Sequence, residues 1–200
     1  LHPPPSKEVT ETDPVHFVTC LSMNVLRPSV LFALVLFLLS FGAWGQITAD
    51  KLGMLEAEVS KFQRTGKYEE VDFFCQTAAK LYPDAVRCFS IGRSAEGRPI
   101  WALAVSRSGA LTPAQAKRAS IPVVLAIGGT HAGEIDGKDA GLILIRDWLK
   151  SPPRNDPLRD QIFLFVPVFN VDGHEKSSPY NRPNQNGPTL QGDRVTAQRI

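Results

Sequence analysis

His131 and Glu134 stand three positions apart in Thr130-His131-Ala132-Gly133-Glu134, directly after the apolar run Val123-Val124-Leu125-Ala126-Ile127. An imidazole nitrogen and a carboxylate oxygen both bind zinc, at about 2.0–2.2 Å. A His-x-x-Glu pair in a tight turn can therefore supply two ligands to one ion. Gly128-Gly129 before it and Ala132-Gly133 within it let the backbone turn and a substrate approach. The tetrapeptide alone is unspecific. Its position, where a buried strand breaks open, makes His131 and Glu134 the expected metal ligands. Catalytic zinc takes three protein donors, and the remaining histidines are His2, His16 and His174. The first two precede a leader-like segment, and His174 reads as a solvated loop histidine.

These residues must be positioned by the elements around them. Leu52, Leu55, Val59 and Phe62 recur at helical spacing, which predicts a helix over 47–62. Val71, Phe74, Cys75, Ala78 and Tyr82 predict a second over 70–82, stopped by Pro83. Two β-rich runs, 86–91 and 99–106, flank the turn residues Gly92 to Gly97 and read as a hairpin. Segment 108–120 reads as a polar connection. The continuous apolar run 123–127 suits a strand covered on both faces. A helix is predicted over 137–150, ended by Ser151-Pro152-Pro153, and a buried strand over 162–169, with Pro167 tolerable near its end. Strand, helix, strand at this spacing is a parallel crossover. The fold class expected is α/β, a mixed, mostly parallel sheet with flanking helices. Ligands of open α/β sheets sit beyond the carboxyl ends of the parallel strands. His131 and Glu134 follow one such end, and Asn170-Val171-Asp172-Gly173 follows the next. Asp172 by itself reads as part of a plain turn.

Two hundred residues suit one ordinary domain with a real core. A formal net charge of +2, with no basic run interleaved with aromatics, argues against a nucleic-acid partner. Met23 to Arg27 is a short basic start, Val30 to Phe41 an apolar core, and Ala43 and Gly45 are small residues before Gln46. That layout is a secretory signal peptide over 23–45. Its apolar part is shorter than the ~20 residues of a spanning helix, so no stable membrane partner is expected unless the signal stays uncleaved. Residues 1–22 read as a non-structural upstream extension, and the protein as exported, periplasmic or secreted. Two cysteines, Cys75 and Cys88, remain after the leader. In an oxidising compartment they could bridge; equally, each could pack separately in a helix face and a strand.

Thr130-His131-Ala132-Gly133-Glu134-Ile135-Asp136-Gly137-Lys138-Asp139-Ala140 resembles the first zinc motif of the carboxypeptidase A-type metallocarboxypeptidases. Val166 to Gly173 resembles that family's strand ending in Asn-x-Asp-Gly, and the stretches 180–188 and 194–200 are similar to its approach to an Asn-Arg substrate motif. The resemblance spans roughly 68–200. It implies that 46–200 is the N-terminal part of a zinc-dependent exopeptidase domain that cleaves C-terminal bonds of peptide or protein substrates. It further implies one zinc ion, held by His131, Glu134 and a His beyond Ile200, and a general-base Glu later still. On that reading this chain, which opens on Leu1, is the N-terminal half of an enzyme and inactive alone.

The sequence also departs from the family. Gly133 stands where well-known members carry Arg, and the place of their oxyanion arginine falls, counted without gaps, near Gln185. Arg182 is the nearest arginine and, with Asn170, the substrate-binding candidate; Arg194 and Arg199 are weaker ones. Aspartoacylase- and desuccinylase-type deacylases also open with Gly-Gly-x-His-x-x-Glu, which 128–134 satisfies. An N-acyl amino acid deacylase is thus one alternative, and a non-catalytic exported peptide-binding module another.

Overall fold

The structure, a computed structural model, describes residues 50–150, 153–183 and 186–196. The expected extension 1–22, the signal peptide 23–45, Ser151-Pro152, Gln185 and Arg199 lie outside the described residues.

After a 3₁₀ turn at Asp50–Leu52, the order is α1 (Glu56–Val59), α2 (Tyr68–Leu81), β1 (Val86–Arg93), β2 (Pro99–Val105), α3 (Pro113–Ala119), β3 (Val123–Ile127), α4 (Asp136–Lys150), β4 (Ile162–Val166) and α5 (Val171–Glu175). The strands form one mixed sheet in the order β1-β2-β4-β3. β1 with β2 and β2 with β4 are antiparallel, and β3 with β4 is parallel. Among the described residues no helix is long and apolar enough to cross a membrane.

The alternation of side chains along each strand divides the core in two. Val86 and Cys88 of β1, Leu103 and Val105 of β2 and Phe163 and Phe165 of β4 face a large cluster completed by Val71, Phe74 and Ala78 of α2 and Leu142, Ile145 and Leu149 of α4. Phe89, Ala104, Ile162 and Leu164 face the other side, against Ala116 of α3. α4 lies close on the sheet, because a Cβ on Gly141 would fall 2.2 Å from the Phe165 ring.

Three expectations are revised. Of the helix expected over 47–62, residues 47–49 lie outside the described residues, and the rest is a 3₁₀ turn and the single helical turn α1. Gly53 at φ +62°, and Lys61 and Phe62 at φ 54° and 61°, interrupt any longer helix. Leu52 and Leu55 are buried, whereas Val59 and Phe62 are 60% and 68% exposed, so the four apolar residues do not share one buried helical face. The segment 108–120 contains α3. Its signal was Thr112-Pro113-x-Gln115: the Thr112 hydroxyl accepts the Gln115 amide, the Gln115 side chain accepts the Leu111 amide, and Pro113 sits in the first turn. The third revision concerns β3, an edge strand rather than a covered one, with Val123, Leu125 and Ile127 about half exposed. Its apolar sequence marks a strand suited to cover on both faces, and among the described residues only β4 pairs with it. β4 itself stops at Val166, before Pro167, which cannot donate to a ladder.

Cys75 of α2 and Cys88 of β1 are joined by a disulfide, which pins helix to sheet over a sequence separation of 13. Closing a loop of this size restricts the unfolded chain by about 3 kcal/mol. Reduction, or the double substitution Cys75→Ser with Cys88→Ser, is therefore expected to lower unfolding stability by about that amount. Urea unfolding with and without reductant reads it, and superimposable curves would contradict it.

Candidate functional site

β3 and β4 pair in register up to Ile127 opposite Val166, so both end at the same sheet edge. The segments leaving them are hydrogen-bonded to each other. Gly128 donates its amide to Val166 O at 2.8 Å, while Gly128 O and Gly129 O accept the amides of Phe169 and Asn170 at 3.0 and 2.9 Å. Such closeness requires glycine: a Cβ on Gly128 would lie 2.4 Å from Pro167 O, and Gly129 has φ +55°. The chain then turns through His131, whose carbonyl accepts the Glu134 amide at 2.9 Å, and enters α4 at Asp136.

In that turn His131 Nδ1 lies 3.1 and 3.2 Å from the two carboxylate oxygens of Glu134. Two donors this far apart can both stand at about 2.1 Å from one ion, at roughly a right angle, so they fit zinc. Both side chains are partly open to solvent. Buried Arg182 reaches the same carboxylate, donating from Nη2 to Oε1 at 2.8 Å. The Arg182 hydrogen bond, reinforced by His131, holds the Glu134 carboxyl below the usual range, in the ionised form a metal needs. A Cβ at position 133 would fall 2.8 Å from Gly192 O and 3.1 Å from Arg182 Cγ, so the Arg182 stem packs where a longer residue would project. Among the described residues no group of three or more His, Cys, Asp or Glu side chains could hold a metal.

The second polar segment is the short helix α5 rather than a plain turn. Asn170 caps it: Oδ1 accepts the Gly173 amide at 3.0 Å, and Nδ2 donates to Arg194 O at 3.2 Å. Asp172, buried, accepts from Ser94 Oγ at 2.7 Å, the Glu96 amide at 3.1 Å and Arg98 Nη1 at 2.7 Å. Burial would raise its pKa, but these three donors together outweigh it and lower it. Asp172 thereby ties the β1–β2 turn to the site edge, a role hidden in the sequence because its partners lie more than seventy positions away. A buried lysine does the same for α4. Lys138 Nζ pairs with Asp139 at 2.7 Å and Glu70 at 3.4 Å and donates to Gly66 O at 3.0 Å, joining the helix that follows Glu134 to the start of α2.

His174 is not the solvated histidine expected; only 2% of its surface is exposed. It sits on α5 behind the site edge and does not join His131 and Glu134 as a metal group. Burial first, then the positive charges of Lys138 and Lys67, depress its pKa to about 4. The folded protein thus holds it neutral, while the unfolded chain takes up a proton near the ordinary value of 6.5. Its contribution to stability is complete above pH 6.5 and is lost as pH falls toward 4, by about 3 kcal/mol in all. Urea titrations from pH 7 to 4 on the native protein and His174→Gln should differ in slope across that window. Parallel curves would refute the assignment.

Comparison with known proteins agrees with this geometry. The family model described as "Zinc carboxypeptidase" matches residues 71–194. Carboxypeptidase D of Mus musculus is 29% identical over 115 residues, which is 55% of this chain and 8% of that protein. Carboxypeptidase M of Mus musculus is 32% identical over 130 residues, 62% of this chain and 28% of that one. An inactive metallocarboxypeptidase of Ajellomyces dermatitidis is 36% identical over 100 residues, covering 48% and 16%. Carboxypeptidase A from Helicoverpa armigera superposes with a TM-score of 0.52 at 26% identity, covering 74% of this chain and 35% of that structure. The chain spans well under half the length of each of these relatives. With the match covering more than half of its length and the His-x-x-Glu turn at the carboxyl edge of the sheet, the chain belongs to the zinc carboxypeptidase family.

Proposed function

We propose that His131 and Glu134 are two of three ligands of a single zinc ion in an exported metallocarboxypeptidase that removes C-terminal residues from peptides. The observation that carries this reading is the approach of His131 Nδ1 to the Glu134 carboxylate, 3.1 Å apart and partly open to solvent, at the shared carboxyl edge of β3 and β4. The third ligand, a His, and the general-base Glu would come from beyond Ile200. Bound there, zinc supplies Lewis acidity, making a water nucleophilic near neutral pH and polarising the scissile carbonyl.

The chain's own residues prepare that chemistry. Glu134 stays ionised because Arg182 and His131 both bond its carboxylate. Arg182 therefore acts on the metal ligand, holding the Glu134 carboxylate in place from a buried position. Asn170 positions the substrate side indirectly: its amide holds both the start of α5 and the backbone of Arg194. The Cys75–Cys88 disulfide suits an oxidising compartment and supports export. One observation favours a second reading, a peptide-binding protein without catalysis: a relative at 36% identity is named an inactive metallocarboxypeptidase.

Zinc content and hydrolysis by the full-length protein separate the readings. Native protein is expected to carry about one zinc per chain. His131→Ala and Glu134→Ala should each weaken zinc binding by more than the roughly 10–100-fold that loss of an outer hydrogen-bonding partner costs. Hydrolysis should require a free peptide C-terminus and should not extend to N-acyl amino acids. Full zinc content in both variants would reject the ligand assignment, and zinc without hydrolysis would favour the non-catalytic reading.

A further inference from the structure

Two hydrogen bonds hold the end of α5 to the start of α2: the Tyr68 amide donates to Glu175 Oε1 at 2.9 Å, and Lys67 Nζ donates to Ser177 Oγ. His174 stands beside Glu175 and forms part of the wall of a cavity of about 470 Å³, together with Lys67, Glu70 and Ser177. Its Nε2 is buried and has no hydrogen-bond partner among the described residues. Its Nδ1 is 3.9 Å from Glu175 Oε1, beyond hydrogen-bond reach. The charged groups around it are Lys67, Glu69 and Glu70 at the start of α2, Lys138 of α4, Glu175 of α5, and Glu56 and Arg64 across the cavity. The nearby carboxylates are engaged elsewhere: Glu175 with the Tyr68 amide, Glu70 with Lys138 and the Glu56 amide, and Glu56 with Arg64. Glu69 is exposed at the rim. An imidazolium in this position would present an N–H at Nε2 with nothing to accept it, beside two lysines.

We infer that the contact between α5 and the start of α2 is an acid-released latch, closed while His174 is neutral and opened when its imidazole takes up a proton. The inference goes beyond the peptidase reading and does not depend on it, since it concerns only how α5 is packed. A buried charge without a partner is costly. The cavity offers the charged ring a way out, toward water and the exposed carboxylate of Glu69. Moving it draws on its neighbours Glu175 and Ser177, and so on both bonds to α2. The Asn170 cap and the Asp172 clamp still tie the other end of α5 to the sheet edge, so the release is local. In the closed state Lys138 and Lys67 add to the effect of burial and hold the pKa at about 4, against an ordinary value of 6.5. Opening is therefore favoured as pH falls below 6.5, and the gain is complete near pH 4.

Hydrogen exchange of the full-length protein, corrected for the intrinsic effect of pH, reads the latch at two amides. Tyr68 donates to Glu175, and Lys176 donates to Asp172 O. Their protection should fall roughly twentyfold between pH 7 and 5, the ratio that closed and open values of about 4 and 6.5 give. At both pH values they should be at least about tenfold less protected than the amides of the β2–β4 ladder, because the opening is local. His174→Gln, which cannot take up the proton, should hold its protection within about twofold over the same range. Lys67→Gln removes one of the two charges that oppose protonation, so its fall should be smaller than in native protein. Each variant is read as a ratio between two pH values, so a general loosening caused by the substitution does not imitate the result. Histidine is the side chain that ordinarily titrates in this range, and the other described histidine is His131. His131→Ala should therefore keep the full response, as should native protein treated with a zinc chelator. Protection that pH leaves unchanged in native protein, or that falls as steeply in His174→Gln or Lys67→Gln, overturns the inference. A response lost in His131→Ala or under chelation overturns it by placing the proton at the metal turn. Equal protection of α5 and the β2–β4 ladder overturns it too, because the opening would then be global unfolding.

Discussion

The hydrogen-bonded contact between the ends of β3 and β4 is the constraint on which the site depends. Gly128 and Gly129 accept the amides of Phe169 and Asn170, locking two segments some forty positions apart into one edge. It sets where the His131 turn leaves β3 relative to the start of α5. Only residues without a side chain allow that approach, because Pro167 O occupies the place where a Cβ on Gly128 would stand. Rigidity at the edge therefore comes from the backbone, and the chemistry-bearing side chains are mounted on it.

Around that edge, charge is arranged so that each carboxylate has a fixed partner. Glu134 lies between His131 and Arg182, Asp172 between Ser94 and Arg98, and Asp139 beside Lys138. Burying an ion is costly unless it is paired and hydrogen-bonded, and fully buried Lys138 meets that condition with two carboxylates and a carbonyl. Removing one member of such a set leaves the others unsatisfied, so these groups constrain one another's positions. The buried, neutral His174 belongs to the same design: two nearby lysines oppose its protonation and keep positive charge from accumulating behind the site.

Family membership and the site geometry support each other at different scales. The matched region, 71–194, contains the whole sheet and both polar segments. The site residues within it depart from the best-known pattern at Gly133, where the neighbouring Arg182 stem and Gly192 carbonyl leave no room for a long side chain. A family likeness alone would not have revealed that Arg182 reaches Glu134 from this direction.

Much of this protein was legible from its amino acids, and the reason is local. Helix α2 announced itself by a stripe of apolar residues ending at a proline, β1 and β2 by β-rich runs around a glycine turn, and β4 by an apolar run closed by Pro167. His131 and Glu134 were readable because both donors lie within one turn. Even α3 carried a local mark in Thr112 and Gln115 that the polar composition around it obscured. What the sequence could not convey was anything that depends on distant partners. Whether β3 is covered, whether His174 is wet or dry, and whether Asp172 closes a turn or clamps another loop are set by contacts with residues far along the chain. Periodicity reports which face of an element is apolar. Only the tertiary structure decides what that face, or a charge beside it, meets.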